Sequence, residues 1–140
     1  MAERKKVLFI CTHNSARSQM AEGLLRSMYG DSYEVRSAGT KPAGVHPLAV
    51  RVMAEIGIDI SGHRSKSVME FLNDSFDYVV TVCDKASESC PFFPGAGEYI
   101  HMSFEDPAAA GGGEEEALRV FRRVRDEIKE WLRETFGNRR

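Results

Sequence analysis

The chain contains few cysteines, few prolines and no long hydrophobic run. Its 140 residues include three cysteines, five prolines and one tryptophan. An odd and small number of cysteines does not fit the disulfide framework of a small secreted domain, so the thiols become candidates for reactive chemistry. The apolar run at residues 7–11 is too short for a signal-peptide core or a membrane span, and we therefore expect a cytoplasmic protein.

An excess of charge of one sign is also lacking. The sequence has 19 Lys and Arg against 21 Asp and Glu, a formal net charge of -2, which gives no electrostatic reason to expect a nucleic acid or a membrane as a partner. The length of 140 residues is close to the usual size of one domain. We expect residues 1–140 to form a single domain that works as a monomer.

Apolar runs and helical periodicity alternate along the chain. Runs rich in Val, Ile, Phe and Tyr predict strands at residues 6–10, 33–37, 77–83 and 99–102. Apolar positions at helical spacing predict helices at residues 18–28, 47–56 and 114–136, with a short further helix ending at Phe71. Such alternation is typical of βαβ units with right-handed crossovers. The predicted fold class is therefore α/β, with a parallel sheet covered by helices on both faces.

The segment between the first strand and the first helix, here called the oxyanion loop, reads Cys11-Thr12-His13-Asn14-Ser15-Ala16-Arg17-Ser18. It follows a parallel strand and leads into a helix N-terminus, where backbone N–H groups can hold an anion. Arg17 can bind two oxygens as a fork and should favour the nucleophilic thiolate of Cys11, to which Ser18 can donate a hydrogen bond. Alternatively, Cys11 is a small buried side chain and Arg17 a surface charge.

Two further cysteines lie close together in the sequence. Cys83 follows the predicted third strand, and Cys90 comes seven residues later. In a helix that spacing corresponds to about 10.5 Å of rise, whereas disulfide-bonded Cα atoms lie within about 7 Å, so a Cys83–Cys90 disulfide would require a helical segment to unwind. Alternatively, Cys83 packs at the strand end and Cys90 is a surface thiol. A zinc site with His101 is a third interpretation, but the spacing fits no common zinc pattern, and we expect no metal.

An Asp-Pro pair follows the predicted fourth strand. Asp106 precedes Pro107, and three alanines at residues 108–110 come next. Asp106 is a candidate general acid, although an isolated Asp-Pro is more often a turn with a solvated carboxylate.

Residues 7–23, which contain the Cys11-x5-Arg17-Ser18 pattern, resemble the signature of the low-molecular-weight tyrosine phosphatase superfamily, and more narrowly that of its thioredoxin-coupled arsenate reductases. The resemblance extends over nearly the whole chain. It implies a three-layer α/β/α sandwich with a four-stranded parallel sheet in the order 2-1-3-4.

The resemblance also implies a reaction, the reduction of arsenate to arsenite. Cys11 is then the nucleophile, Asp106 protonates the departing oxygen, Cys83 attacks Cys11, and Cys90 resolves the resulting disulfide. The oxyanion is held by the loop residues Thr12, His13, Asn14, Ser15, Ala16 and Arg17. Thioredoxin is implied as the external reductant, and no bound cofactor is expected.

Two positions depart from the family pattern. Some of these arsenate reductases bind potassium through residues matching Asn14, Glu22 and Ser37, plus an acidic residue where this chain has Lys66. A lysine disfavours that cation and its ammonium can occupy the same space, so we predict no potassium site. His13 stands where many relatives have glycine, and we interpret it as a loop residue rather than a base.

Two other functions use the same residues. A phosphatase would use the oxyanion loop and Asp106, and weak phosphatase activity is expected because phosphate and arsenate share shape and charge. The alanines after Pro107 replace the aromatic residues of tyrosine-specific relatives and argue against tyrosine specificity. A non-catalytic oxyanion or redox sensor would keep the three cysteines but gives no reason for an acid at Asp106.

Overall fold

Four parallel strands form the centre of the protein, as seen in a computed structural model that describes residues 4–84, 93–109 and 111–139. The strands are β1 (Lys5–Cys11), β2 (Tyr33–Gly39), β3 (Phe76–Thr81) and β4 (Ala96–His101). They lie in the order β2-β1-β3-β4, and every neighbouring pair is parallel. The predicted α/β fold and its strand order are therefore confirmed.

Three helices and two short 3-10 turns are present in the described residues. The helices are α1 (Arg17–Tyr29), α2 (Pro47–Ala54) and α3 (Glu114–Phe136), and the 3-10 turns are Val68–Phe71 and Pro107–Ala109. Helix α3 matches the predicted bounds. No helix within these ranges is both long and apolar enough to cross a lipid bilayer.

Strand β1 lies in the middle of the sheet and explains the apolar run at residues 7–11. Val7, Leu8, Phe9 and Ile10 are all fully buried, because each face of a central parallel strand is covered. On one face, the Phe136 ring at the end of α3 contacts the rings of three different strands edge-on. Its centroid lies 6.3 Å from Phe9, 5.3 Å from Tyr33 and 5.5 Å from Tyr78.

Several predicted boundaries were wrong. Strand β3 ends at Thr81 rather than at Cys83, whose side chain contacts Thr12. Strand β4 begins at Ala96 and ends at His101, whereas residues 99–102 were predicted. It is a largely exposed strand with a glycine near its start, so it lacks the apolar run that marks a buried strand. Helix α2 ends at Ala54, two residues early, and a turn carries the chain to Gly57 with φ 81°.

Candidate active site

The oxyanion loop connects β1 to α1, and its backbone is held from outside. Each carbonyl from Cys11 to Ala16 accepts a hydrogen bond. The donors, in chain order, are Thr40 N at 3.2 Å, Lys41 N at 2.7 Å, Ala43 N at 3.0 Å, Gln19 Nε2 at 3.1 Å, His46 N at 2.9 Å and Met20 N at 2.8 Å. Because the C=O and N–H of a trans peptide point in opposite directions, the N–H groups turn toward the inner side of the loop. Successive N–H groups on the inner side form a concave site, a nest, that can hold an anion.

Two backbone features allow this tight loop. Asn14 has φ 48°, the left-handed region that asparagine tolerates better than most residues. Gly39, at the end of β2, faces the loop so closely that a Cβ there would lie 2.7 Å from Thr12 O and 2.8 Å from Asn14 N. The glycine is therefore required for the loop to pack beside β2.

Two buried polar side chains lie around the Cys11 thiol. Cys11 Sγ lies 2.8 Å from Ser18 Oγ, and Asn14 Nδ2 donates to that same oxygen at 2.7 Å. Since Ser18 Oγ accepts from Asn14, its hydroxyl hydrogen can point at Cys11. The thiol is only 2% exposed, and both polar partners are fully buried. The predicted pairing of Ser18 with Cys11 is present.

A cavity of about 150 Å³ lies in front of Cys11. It is lined by Cys11, His13, Ser15, Ala16, Arg17, Ala43, Asp106 and Ala108. Arg17 Nη1 donates to Phe104 O at 3.2 Å, and its Nη2 lies 3.7 Å from Asp106 Oδ2. The fold thus brings the thiol, the guanidinium and the carboxylate, which are up to 95 positions apart in sequence, to one small space.

Most, but not all, of the predicted substrate-binding side chains line this cavity. His13, Ser15, Ala16 and Arg17 do so. The side chains of Thr12 and Asn14 point elsewhere. Thr12 Oγ1 lies 3.4 Å from Cys83 Sγ, and Asn14 contacts Ser18. These two residues can contribute to the site through their backbone, as the nest geometry requires.

The second cysteine lies beside the oxyanion loop rather than in the cavity. Cys83 is 4% exposed, and its Sγ lies 3.4 Å from Thr12 Oγ1. Thr12, which Cys83 contacts, is the residue that directly follows Cys11 in the loop. Cys90 falls outside the described residues, so its part in the relay stays a prediction. Within the described ranges, no group of three or more His, Cys, Asp and Glu side chains could hold a metal ion.

Lys66 lies among the residues that match the potassium ligands of some relatives. Its Nζ is 4.0 Å from Glu22 Oε1 and donates to Arg64 O at 2.9 Å. Ser37 Oγ donates to the same Glu22 carboxylate. Burial lowers the pKa of Lys66 below its ordinary value, and the Glu22 charge opposes that shift. The ammonium therefore already stands beside the carboxylate that a cation would need.

Sequence reasoning missed two polar residues that hold the loop. Gln19 is fully buried and donates to Asn14 O, and His63 hydrogen-bonds Gln19 at 2.9 Å. The signal in the sequence was the polar residue Gln19 among the apolar residues of the first helix. A polar side chain is tolerated at such a buried position only when it is hydrogen-bonded. Its partner, 44 positions away, could not be found by spacing.

Comparison with known proteins gives a consistent result. Residues 6–138 match the family described as low molecular weight phosphotyrosine protein phosphatase. The chain is 50% identical to an arsenate reductase of Halalkalibacterium halodurans over 125 aligned residues. The aligned region covers 89% of this chain and 90% of that protein.

Solved structures show the same similarity. An arsenate reductase in its phosphate-binding state superposes with a TM-score of 0.83 at 35% identity, covering 96% of this chain and 98% of that one. A thioredoxin-dependent arsenate reductase of Corynebacterium glutamicum superposes with a TM-score of 0.67 at 33% identity, covering 95% of this chain and 62% of that one. With its strand order, its Cys11 loop and a family match over 6–138, the chain belongs to the low molecular weight phosphotyrosine protein phosphatase family.

Proposed function

We propose that this protein reduces arsenate to arsenite, with Cys11 as the nucleophile and a three-cysteine relay that thioredoxin regenerates. The observation that carries the proposal is the cavity in which Cys11, Arg17 and Asp106 meet beside the oxyanion loop. The relative at 50% identity and the structural neighbour at TM-score 0.83 are both arsenate reductases, which supports this choice of substrate.

The walls of the cavity favour a small inorganic oxyanion. Its volume is about 150 Å³, and alanines 43 and 108 form part of the wall. An aryl phosphate ester would place its ring where these methyl groups offer little surface for stacking. Arg17 can hold two oxygens of a tetrahedral anion while the loop amides hold the others.

The first step forms a sulfur–arsenic bond. The Cys11 thiolate attacks arsenic(V), and the departing oxygen leaves as water after Asp106 donates its proton. Arg17 balances the negative charge of the oxyanion, and the Ser18 hydroxyl stabilises the thiolate before attack. No oxidation or reduction has occurred at this point.

The second step carries the electrons. The Cys83 thiolate attacks Cys11 Sγ, a disulfide forms, and the electron pair of the sulfur–arsenic bond goes to arsenic, which leaves as arsenite. Cys83 is suited to this attack by its position, because its Sγ lies 3.4 Å from Oγ1 of Thr12, the residue that follows Cys11. Cys90 then attacks Cys83, which releases the Cys11 thiolate and leaves a Cys83–Cys90 disulfide.

Thioredoxin is the proposed partner for the last exchange. Its dithiol would reduce the Cys83–Cys90 disulfide and become oxidised in turn. The support is the structural neighbour from Corynebacterium glutamicum, which is a thioredoxin-dependent arsenate reductase. Because a thiol relay needs a reducing compartment, we place the protein in the cytoplasm, where it would act as a monomer.

We propose further that turnover needs no potassium. The Lys66 ammonium lies 4.0 Å from Glu22 Oε1 and would repel a second cation at the same carboxylate. Exchange of sodium chloride for potassium chloride at constant ionic strength should leave the rate unchanged. A clear increase with potassium would contradict this.

A phosphatase is the second candidate, because the same nucleophile, arginine and acid serve phosphate monoesters. Weak hydrolysis of small phosphate esters is expected from the shared geometry of phosphate and arsenate. Unlike the reductase, the phosphatase has no need for Cys83 beside the loop.

The deciding experiment is arsenate-dependent NADPH oxidation coupled through thioredoxin and thioredoxin reductase. The wild type is compared with Cys11→Ser, Cys83→Ser and Cys90→Ser, which together cover every cysteine in the chain. We expect all three variants to lose multiple turnover, and Cys90→Ser to accumulate a Cys11–Cys83 disulfide after one cycle.

The alternatives give different results in the same assay. No arsenate turnover by the wild type, with hydrolysis of phosphate esters that depends on Cys11, would leave the phosphatase. No turnover of either substrate would favour the oxyanion or redox sensor.

A further inference from the structure

A continuous chain of hydrogen bonds runs from α1 through His63 to the oxyanion loop. Gln19 Nε2 donates to Asn14 O at 3.1 Å and to Arg64 O at 3.0 Å. Gln19 Oε1 lies 2.9 Å from His63 Nδ1, and Arg26 Nη1 lies 3.2 Å from His63 Nε2. Arg26 is fixed in turn by Glu22 and by Val35 O.

The direction of each hydrogen bond is determined by its partners. The Gln19 amide nitrogen faces two carbonyls, so its oxygen must face His63 and accept from Nδ1. The Arg26 guanidinium can only donate, so His63 Nε2 must accept. Both constraints select the same species, a neutral imidazole with its proton on Nδ1.

The position of the Asn14 peptide in the loop depends on this series of hydrogen bonds. Backbone amides hold five of the six loop carbonyls from Cys11 to Ala16, with Ser65 Oγ as a second donor to His13 O, whereas the donor to Asn14 O is the Gln19 side chain. Asn14 also has the left-handed φ of 48°. Its side chain donates to Ser18, the hydroxyl next to the nucleophile. A shift of this peptide would disturb both the nest of amides and the Cys11 environment.

We propose that neutral His63 is a positioning residue, which orients Gln19 so that the Asn14 peptide and the loop amides are held in the anion-binding arrangement. This inference rests on the oxyanion site proposed above. Protonation would put an N–H on Nε2 opposite the N–H of Arg26, which breaks that link and frees the imidazole to turn. The site should therefore weaken in mild acid.

Charged groups surround His63 from several segments. Glu22 and Arg26 face it from α1, while Asp59 and Lys66 face it from the chain after α2. Burial lowers the pKa of His63 below its ordinary value of 6.5, the Glu22 charge opposes that shift, and Arg26 and Lys66 reinforce it. The neutral form is thus the species present at neutral pH, and it is lost only as the pH falls below that range.

The test is the affinity for sulfate, measured by calorimetry between about pH 5 and pH 8, the range in which histidine changes charge. Sulfate remains a dianion throughout this range and needs no reductant. His63→Gln is the informative variant, because its amide can donate to Gln19 and accept from Arg26 but does not titrate. His63→Leu keeps the bulk and removes both hydrogen bonds. His101→Gln is the matched control, since His101 contacts Thr81 and Asp84 instead.

At about pH 8 we expect the wild type and His63→Gln to bind sulfate within about twofold of each other, and His63→Leu to bind about tenfold more weakly, the factor that corresponds to one lost hydrogen bond. At about pH 5 the wild type should bind about tenfold more weakly than His63→Gln. The comparison isolates His63 because His13, Asp106 and Cys11 are the same in both proteins. His101→Gln should keep the wild-type response.

A ratio of wild-type to His63→Gln affinity that does not change with pH would overturn the inference, as would wild-type affinity in His63→Leu. If His63→Leu does not fold, the pH dependence of that ratio still decides the question. Wild-type protein that binds no sulfate at any pH would instead show that the oxyanion site is absent, and the role of His63 would fail with it.

Discussion

At the scale of single residues, Ser18 links the Asn14 side chain to Cys11, the proposed nucleophile. Its Oγ accepts from Asn14 Nδ2 at 2.7 Å and lies 2.8 Å from Cys11 Sγ. All three side chains are buried, so water does not compete for these contacts. A hydroxyl that already accepts one hydrogen bond has its own hydrogen available for the thiolate. We therefore expect Ser18 to affect the reactivity of Cys11.

Ser18→Ala removes this donor and leaves Asn14 Nδ2 without its acceptor. We expect the rate of Cys11 alkylation by iodoacetamide at neutral pH to fall about tenfold, because the reacting sulfur loses the hydroxyl that can donate to it. Mass spectrometry of the Cys11 peptide gives the rate separately from the other cysteines. Ser27→Ala, an exposed position on the same helix, is the control and should react like the wild type. Equal rates in the two variants would show that the hydroxyl does not activate Cys11.

At the scale of elements, the end of β2 and the oxyanion loop pack backbone to backbone. A Cβ on residue 39 would lie 2.7 Å from Thr12 O and 2.8 Å from Asn14 N. Neither atom belongs to a flexible side chain that could move aside. The strand and the loop must therefore separate if anything larger than glycine stands at Gly39.

Gly39→Ala should lower the free energy of unfolding by about 1–3 kcal/mol, the usual range for overpacking, and weaken sulfate binding in the same variant. Gly62→Ala is the matched control, because a Cβ there meets nothing within 4 Å. Denaturant titration and calorimetry measure the two effects. If Gly39→Ala kept wild-type sulfate affinity, the loop would be more tolerant of displacement than this packing implies.

Local pattern was sufficient for some elements and insufficient for others. Strand β1, helix α1 and the loop between them follow from contiguous residues, so their apolar periodicity and Cys-x5-Arg spacing could be interpreted directly. Strand β4 was predicted too short because Gly97 and exposed side chains give no buried-strand pattern. The contact between Gln19 and His63 joins residues 44 apart, and only the folded chain brings them together. The same holds for Lys66 beside Glu22, which the sequence indicated only through the family resemblance.

At the scale of the whole molecule, a charge cluster joins α2 to α3. Arg125 is 8% exposed and donates to Val52 O at 2.9 Å and to Glu55 at 3.2 Å. Arg122 makes a second, bidentate contact with the same carboxylate. Arg125 also donates to Asp126 at 2.8 Å, but Asp126 belongs to α3 itself, so Glu55 is the carboxylate that joins both arginines to the end of α2.

Glu55→Gln should therefore lower the melting temperature at neutral pH by a few degrees, and the difference should shrink in acid. The hydrogen bond from Arg122 is the main cause that lowers the pKa of Glu55 below its ordinary value of 4.5. A carboxyl whose pKa is lower in the folded state stabilises the protein above the unfolded value and loses that contribution as the pH falls through the folded one. Wild type and variant should then melt together once the pH has fallen below the folded-state pKa of Glu55, because the carboxyl and the amide that replaces it are both uncharged there.

Glu130→Gln is the control for this comparison. Glu130 pairs with Arg133 in the same helix, at an exposed site where an ion pair contributes little to stability. Thermal melts followed by circular dichroism should show almost no change for Glu130→Gln at any pH. A loss in Glu55→Gln that persisted unchanged at low pH would contradict the role of the Glu55 charge, because a neutral carboxyl and an amide no longer differ in charge there.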